Sequence, residues 1–384
     1  MKNAKPSFHS VVRAARYSLL ASLCFSSLSA LATDYPLTVK DMDNQTVVIN
    51  HEPRHIILQD GRDIMALALL DRENPFSRVI SWNNLIKRQD GQEWAVLKGK
   101  WPQAATIPDM GFSDQGEVNT ETVIASHPDL LIAQLRAKPA LEQTGVLQRF
   151  RELHVPVLFL DYELHPIQDT VPSITLLGKV LNKESQAKAF TDFYQQRLQQ
   201  IDNVVSKAQK KPLVFIEPIA GNSDNCCFTH GNNGWGGLVA AAGGINIGSE
   251  LLTGSSGFIN PEKIIAMRPD WYLMTGSKRG AAGNPVLPFG YNTQVSQIKA
   301  SFDNLLKRTA VATIPAVSEG HVGGVYHHFY NHPWNIIGVE ILAKWFYPQQ
   351  FASLNPLADY HTIVTRFTDL PNDPVNLDYS PVSQ

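Results

Sequence analysis

The sequence predicts an α/β protein of two lobes, each with a mainly parallel sheet flanked by helices, joined by a single long helix. Three observations carry this expectation. Short hydrophobic runs alternate with amphipathic ones along most of the 384 residues, the pattern of strand and helix layers around parallel sheets. One phrase occurs twice: Glu121-Thr-Val-Ile-Ala-Ser-His-Pro-Asp-Leu-Leu-Ile and, 141 residues on, Glu262-Lys-Ile-Ile-Ala-Met-Arg-Pro-Asp-Trp-Tyr-Leu. Between the copies, Ile167 to Ala208 is poor in glycine and rich in Leu, Gln, Lys and Ala, a composition that favours helix.

The elements follow in order. Residues 1–32 carry Lys2, Lys5, Arg13 and Arg16, then the apolar run Tyr17 to Leu31 and the small pair Ala30 and Ala32. This is the pattern of a cleavable secretory signal. Lipidation at Cys24 is disfavoured because the bulky Leu23 precedes it. The N-terminal lobe is expected over 34–165. Thr38 to Ile49 alternates around Asp43-Asn44 as a hairpin, and Arg54 to Leu58 is a short buried strand. Arg62 to Leu70 reads as a helix and Val79 to Trp82 as another strand. Each copy of the repeated phrase reads as helix, Pro-Asp turn and strand, with the helix stopping near His127 or Arg268 because proline disfavours a helical residue before it. The linking helix is placed at 166–208, with Pro172 in its first turn and Leu176, Leu177, Val180 and Leu181 as its apolar stripe. The C-terminal lobe follows over 211–370. It opens with the strand Lys211 to Glu217 and closes with the helix Asn335 to Phe346. An irregular tail is expected over 371–384, where Pro, Asp and Asn recur.

This succession, with Ala241-Ala-Gly-Gly-Ile-Asn-Ile247 in the second lobe, resembles the solute-binding proteins of ABC importers for iron-siderophores, haem and cobalamin. The likeness runs over roughly residues 36–355 and is carried by the order of the motifs; each alone is weak. It implies a periplasmic protein that holds its cargo in a cleft between the lobes. It also implies that Glu121 and Glu262, one at the start of a helix in each lobe, dock onto arginines of the membrane permease. A glutamate there is also favourable for the helix itself.

Several residues are candidates for the cleft. Ligands of open α/β sheets gather beyond the carboxyl ends of strands. Arg62, Arg136 with Lys138, and Lys278 with Arg279 all follow strands, and arginine suits the oxygens of anionic chelates. Val325 to Trp334 holds three histidines and two tyrosines within seven residues. Tyr326, His327, Tyr330 and His332 can line a pocket, ligate a metal or pack internally, with His327, Tyr330 and His332 as the metal candidates. Cys226 and Cys227 are adjacent, so a shared zinc is disfavoured, while a vicinal disulfide and two free thiols both stay open. The resemblance places this pair at the pocket rim. Trp82 and Trp235 are stacking or core residues. The glycines from Gly231 to Gly237 lack the ending of a phosphate loop and instead lead into a helix that Gly243-Gly244 ends.

Composition excludes other classes. Beyond the signal, 29 bases face 35 acids, a net charge of −6 without a basic block, which argues against nucleic acid. No Gly-x-Ser-x-Gly elbow is present, so an enzyme is not expected. No intrinsic cofactor is expected either. The expected cargo is a ferric siderophore, with haem (on Tyr326, Tyr330 or a histidine) as the alternative and cobalamin after it. The expected partner is an inner-membrane ABC permease, and the chain is expected to be a monomer.

Overall fold

The computed structural model describes residues 33–110, 120–222, 226–278 and 285–383; residues 1–32, expected to be a signal, and Arg279 lie outside them. The first lobe opens with the antiparallel hairpin β1 (Leu37–Lys40) and β2 (Thr46–Ile49). Its sheet contains β3 (Ile56–Leu58), β4 (Val79–Trp82), β5 (Leu130–Gln134) and β6 (Val157–Leu160), all parallel, in the order β4-β3-β5-β6. The second lobe holds β7 (Leu213–Glu217), β8 (Phe228–His230), β9 (Ile245–Asn246), β10 (Ser256–Phe258), β11 (Trp271–Gly276), β12 (Gly290–Tyr291), β13 (Val322–Tyr326), β14 (Val375–Asn376) and β15 (Asp378–Tyr379). Its main sheet has the order β9-β7-β11-β13-β15, with β15 alone antiparallel.

The two sheets are built on one plan, and the repeated phrase supplies its centre. In each lobe a short helix, Thr120–Ala125 or Pro261–Met267, leads into the strand at the middle of the sheet, β5 or β11. Each helix is left through a left-handed residue, His127 (φ 48°) or Arg268 (φ 51°). The proline that follows excludes the right-handed helical conformation at that position, so the chain accepts a cost of about 1 kcal/mol to turn there. The aspartate then clamps the neighbouring strand. Asp129 accepts from Arg54 N (2.8 Å) and His55 N (3.0 Å), just before β3. Asp270 accepts from Leu213 N (2.8 Å) at the start of β7. The Pro-Asp turn thus sets strand register in both lobes.

The expected long helix is two helices, Pro166–Val180 and Glu184–Val205. Asn182 at φ 55° turns the chain between them. They fold back on each other: Gly178 lies so close to Ala187 that a Cβ would collide. Further from the turn, Thr170 and Tyr194 both bond the Asn335 amide, at 2.9 and 2.6 Å. Pro166 takes the first helical position, so Pro172 lies inside the helix rather than in its first turn. The predicted stripe of Leu176, Leu177, Val180 and Leu181 is buried. The first helix of the pair packs on helix Gly234–Ala241. The second packs on Ile64–Leu70 and on Ile336–Phe346, so the pair touches both lobes.

The tail is also more ordered than expected. β14 pairs with β12, and β15 adds to β13. Tyr326 N donates to Leu377 O at 2.7 Å. Leu377 and Tyr379 are buried, a period-2 signal that the prolines around it obscured.

Candidate functional site

The N-terminal wall of the site begins at the end of β3, in Gln59-Asp60-Gly61-Arg62. Gly61 is required because a Cβ there would strike the Asn83 carbonyl oxygen. The tight turn lets Asp60 accept from Arg62 N (3.0 Å), Nε (2.9 Å) and Nη2 (2.5 Å). Arg136, just after β5, donates from Nη2 to the same carboxylate at 2.8 Å and pairs through Nε with Glu163 at 3.0 Å. Asp60 is only 1% exposed. Burial alone would raise its pKa, yet the Arg62 and Arg136 guanidiniums hold it well below the usual carboxylate range. Asp63 behaves oppositely. Burial and the neighbouring Asp60 charge raise it well above its ordinary value, and it accepts from Gln134 Nε2 at 2.5 Å.

The C-terminal wall is built from the end of β13, the 3₁₀ turn His327–Asn331 and the end of β8. The Tyr330 ring lies 4.7 Å from His327 and 5.2 Å from His230, centre to centre. Thr275 Oγ1 lies 2.7 Å from His327 Nδ1. Trp235 N donates to His230 Nδ1 at 3.2 Å, and burial pushes this imidazole down to about 4, leaving it neutral. His332 is lowered well below its ordinary value by burial, with the nearby His328 and Arg62 charges adding to it. Its ring packs 4.1 Å from Trp334.

The walls meet in two places. Arg62 Nη1 lies 3.4 Å from the Tyr330 hydroxyl, a long hydrogen bond. Oriented to suit its neighbours, Asn331 accepts from Tyr330 OH at 3.0 Å and from Arg62 Nη2 at 3.3 Å. The second meeting is at helix Gly91–Lys100. Its N-cap Asp90 accepts from Gln92 N and Glu93 N, and Tyr326 OH donates to Asp90 Oδ2 at 2.9 Å. Glu93 Oε2 lies 3.3 Å from His328 Nδ1. Burial raises Asp90 to about 6 and Glu93 to about 7. Asp90, Glu93 and His328 offer ligand atoms within 4.8 Å of one another, a set able to hold a cation; Asp161, His165 and Asp169 form another, nearer the surface.

Arg62, Arg136, Tyr330 and His327 therefore come together. Tyr326 stands beside them, tied to Asp90. Cys226 and Cys227 are bonded to each other and immediately precede β8, the strand that ends at His230. Of the two alternatives for Trp82 and Trp235, stacking platform or core, the structure has the core one, against their candidacy as ligand contacts. Both are fully buried. Trp82 packs edge-on to Phe76 at 5.4 Å inside the first lobe, pressed by the Gly61 turn. Trp235 lies in the core of the second lobe beneath Gly338. Lys138 pairs with Asp43 and Glu142, and Arg279 lies outside the described residues. Glu121 and Glu262 are both exposed in first helical turns.

Sequence reasoning passed over Asp60, Glu163, Asp90, Glu93 and His230. The available signal was local: Asp60 stands two residues before Arg62, and Asp90 three before Glu93, at a helix start. It also passed over His51-Glu52-Pro-Arg-His55, which has the spacing of a zinc-protease motif. That motif needs a helix to put both imidazoles on one face. Here the segment is non-helical, both histidines are exposed, and Glu52 pairs with Arg78 at 2.7 Å.

Two lobes with matching strand order, a helix pair bridging them and a site assembled from the strand ends of both define a cleft-type solute-binding protein. The chain belongs to the periplasmic binding protein family, whose model matches residues 66–325. It is 24% identical over 248 residues to the Fe(3+) dicitrate-binding periplasmic protein FecB of Escherichia coli K12, covering 64% of this chain and 74% of that protein. The TroA-like periplasmic binding protein FepB of Veillonella parvula shares its fold with a TM-score of 0.79 at 21% identity, over 90% of this chain and 99% of that one. The periplasmic haem-binding protein RhuT of Roseiflexus sp. RS-1 superposes at 0.55 with 16% identity, over 77% and 99%. Proteins of this family are solute carriers, not enzymes, and deliver ligand to ABC permeases. Among the described residues no helix is long and apolar enough to cross a membrane.

Proposed function

We propose that the chain is the periplasmic component of an iron(III)-siderophore importer, holding the ferric chelate between its lobes and handing it to an inner-membrane permease. The observation that carries this reading is the pair of Arg62, buried, and Arg136, half-buried, sharing the Asp60 carboxylate, with Arg62 at the Tyr330 hydroxyl. The forked donors of two guanidiniums, Arg62 on Asp60 and Arg136 between Asp60 and Glu163, suit anionic oxygens, and the similarity to a ferric dicitrate binder points the same way. Tyr330, His327 and His230 supply a polarisable wall of rings for the rest of the chelate. Release follows when Glu121 and Glu262 engage the permease and draw the lobes apart.

Haem is the competing cargo. Here the two candidate axial tyrosines are engaged already, Tyr326 with Asp90 and Tyr330 with Arg62. Fluorescence titration of the secreted protein with ferric dicitrate, ferric tris-catecholate and haemin tests the reading. A ferric chelate should bind more tightly than haemin. Tight haemin binding with a sharp Soret band would replace it. Glu121→Ala with Glu262→Ala should leave affinity intact and lower uptake through the permease; unchanged uptake removes the docking role.

A further inference from the structure

Beside the cleft, β8 and β10 form a two-stranded antiparallel ribbon in which Phe258 faces Phe228, Gly257 faces Thr229 and Ser256 faces His230. Directly opposed residues share a face, and so do residues two apart. Phe228, Phe258, His230 and Ser256 therefore lie on one side of the ribbon and Thr229 on the other. Thr229 fixes which side is which, because its hydroxyl donates to Ile216 O of β7 at 2.6 Å. Backbone bonds from Ile259 N to Cys227 O (3.0 Å) and from Gly231 N to Ser255 O (2.8 Å) pin both ends.

The face turned away from the sheet carries a continuous line of rings. Phe258 meets Phe228 at 5.5 Å, Phe228 meets His230 at 5.9 Å, and His230 meets Tyr330 at 5.2 Å. Tyr330 reaches Arg62. Exposure falls along the line, from 62% at Phe258 to 7% at His230. The other large hydrophobic residues that stand exposed among the described residues, such as Val48, Val295 and Leu357, are aliphatic. An aromatic left in water at the head of a line ending on the buried Arg62 guanidinium suits a ligand with rings outside and anionic oxygens inside.

We propose that this ribbon face is the outer part of the ligand site, and that it selects a ferric chelate bearing aromatic rings over an aliphatic one. The proposal rests on the chelate reading above and narrows it. Its occupant is the aryl portion of a catecholate-type chelate, stacked on Phe258 and Phe228 while its charge runs inward to Arg62 and Arg136.

The test uses ferric tris-catecholate and ferric dicitrate as probes, with fluorescence quenching on the wild-type chain, Phe258→Leu and Phe258→Tyr. Phe258 is mostly exposed, so both variants should melt with the wild type, which circular dichroism checks. The wild type should prefer the catecholate. Phe258→Leu should weaken it about three- to tenfold and move ferric dicitrate by less than twofold, and Phe258→Tyr should restore the preference. Equal losses on both probes, or none, overturn the ribbon's role. So does a variant that binds both normally yet delivers poorly to permease-containing vesicles, since the face would then be a permease contact. Binding of ferric dicitrate alone leaves the chelate reading standing and removes the aryl selection. Binding of neither probe removes both.

Discussion

In the first lobe, the strand ends that meet the second lobe at Tyr330 carry Asp60, Arg62 and Arg136. At the equivalent end of β7, in the second lobe, Glu217 is taken up by a two-pronged pair with Arg308, at 2.8 Å for each prong, and is bonded by Tyr272. That charge is spent within its own lobe, and the cleft-facing side is left to His327, Tyr330 and His230. One duplicated plan therefore yields a wall of forked guanidinium donors and a wall of rings. The backbone rule is shared, while the side chains at each strand end decide which wall suits the oxygens of an anion.

The sharpest way to break this contrast is Arg62→Ala. It removes the hydrogen bond across the cleft and leaves Asp60 to Arg136 alone. Ferric chelate affinity should fall by about a hundredfold, and stability by about 3 kcal/mol in urea unfolding, the scale of breaking a buried ion pair. Arg62→Lys should recover part of the stability but little of the affinity, because it lacks the forked geometry. A lysine variant with wild-type affinity would mean that point charge alone suffices.

A second test concerns the place where the walls touch through Glu93. Its folded pKa, about 7, stands above its ordinary value because of burial. The folded state therefore holds the proton more tightly than the unfolded chain does. This stabilising contribution is complete below about pH 4 and is lost as pH rises through 7, by up to about 3 kcal/mol. Asp90, at about 6, acts in the same direction. His230 opposes them, since its folded value near 4 makes its contribution disappear as pH falls from about 6.5 to 4. Glu93→Gln should therefore unfold at higher urea than wild type at pH 8 and at similar urea at pH 4.5. A variant weaker than wild type at pH 8 would show instead that a charged Glu93 pairs with a protonated His328.

The smallest effect compares the twin clamps. Asp129→Ala loses two backbone bonds and Asp270→Ala one, so the costs should be about 2 and about 1 kcal/mol. Equal costs would mean that the second bond of Asp129 contributes nothing.

The repeated phrase made the scaffold legible, because Glu, Pro and Asp at one spacing encode a helix start, a forced exit and a strand clamp. Arg62, Arg136 and Tyr330 were legible as strand-end residues of suitable chemistry. Their partners were not. An isolated Asp60, Glu163 or Asp90 looks like any surface acid until the fold surrounds it. The tryptophans stayed open for a related reason, since Trp82 can stack on a ligand or fill a core and only the neighbouring Phe76 and Gly61 turn decide. The helix break at Asn182 was hidden because leucines continue up to it.

β15 covers the outer flank of β13, the strand that leads into the histidine turn. A chain cut before Pro374 would leave that flank with unpaired amide and carbonyl groups. An uncovered strand of this kind recruits a strand from another molecule, so truncation at this end should produce self-association, visible in light scattering, before it produces any loss of helix.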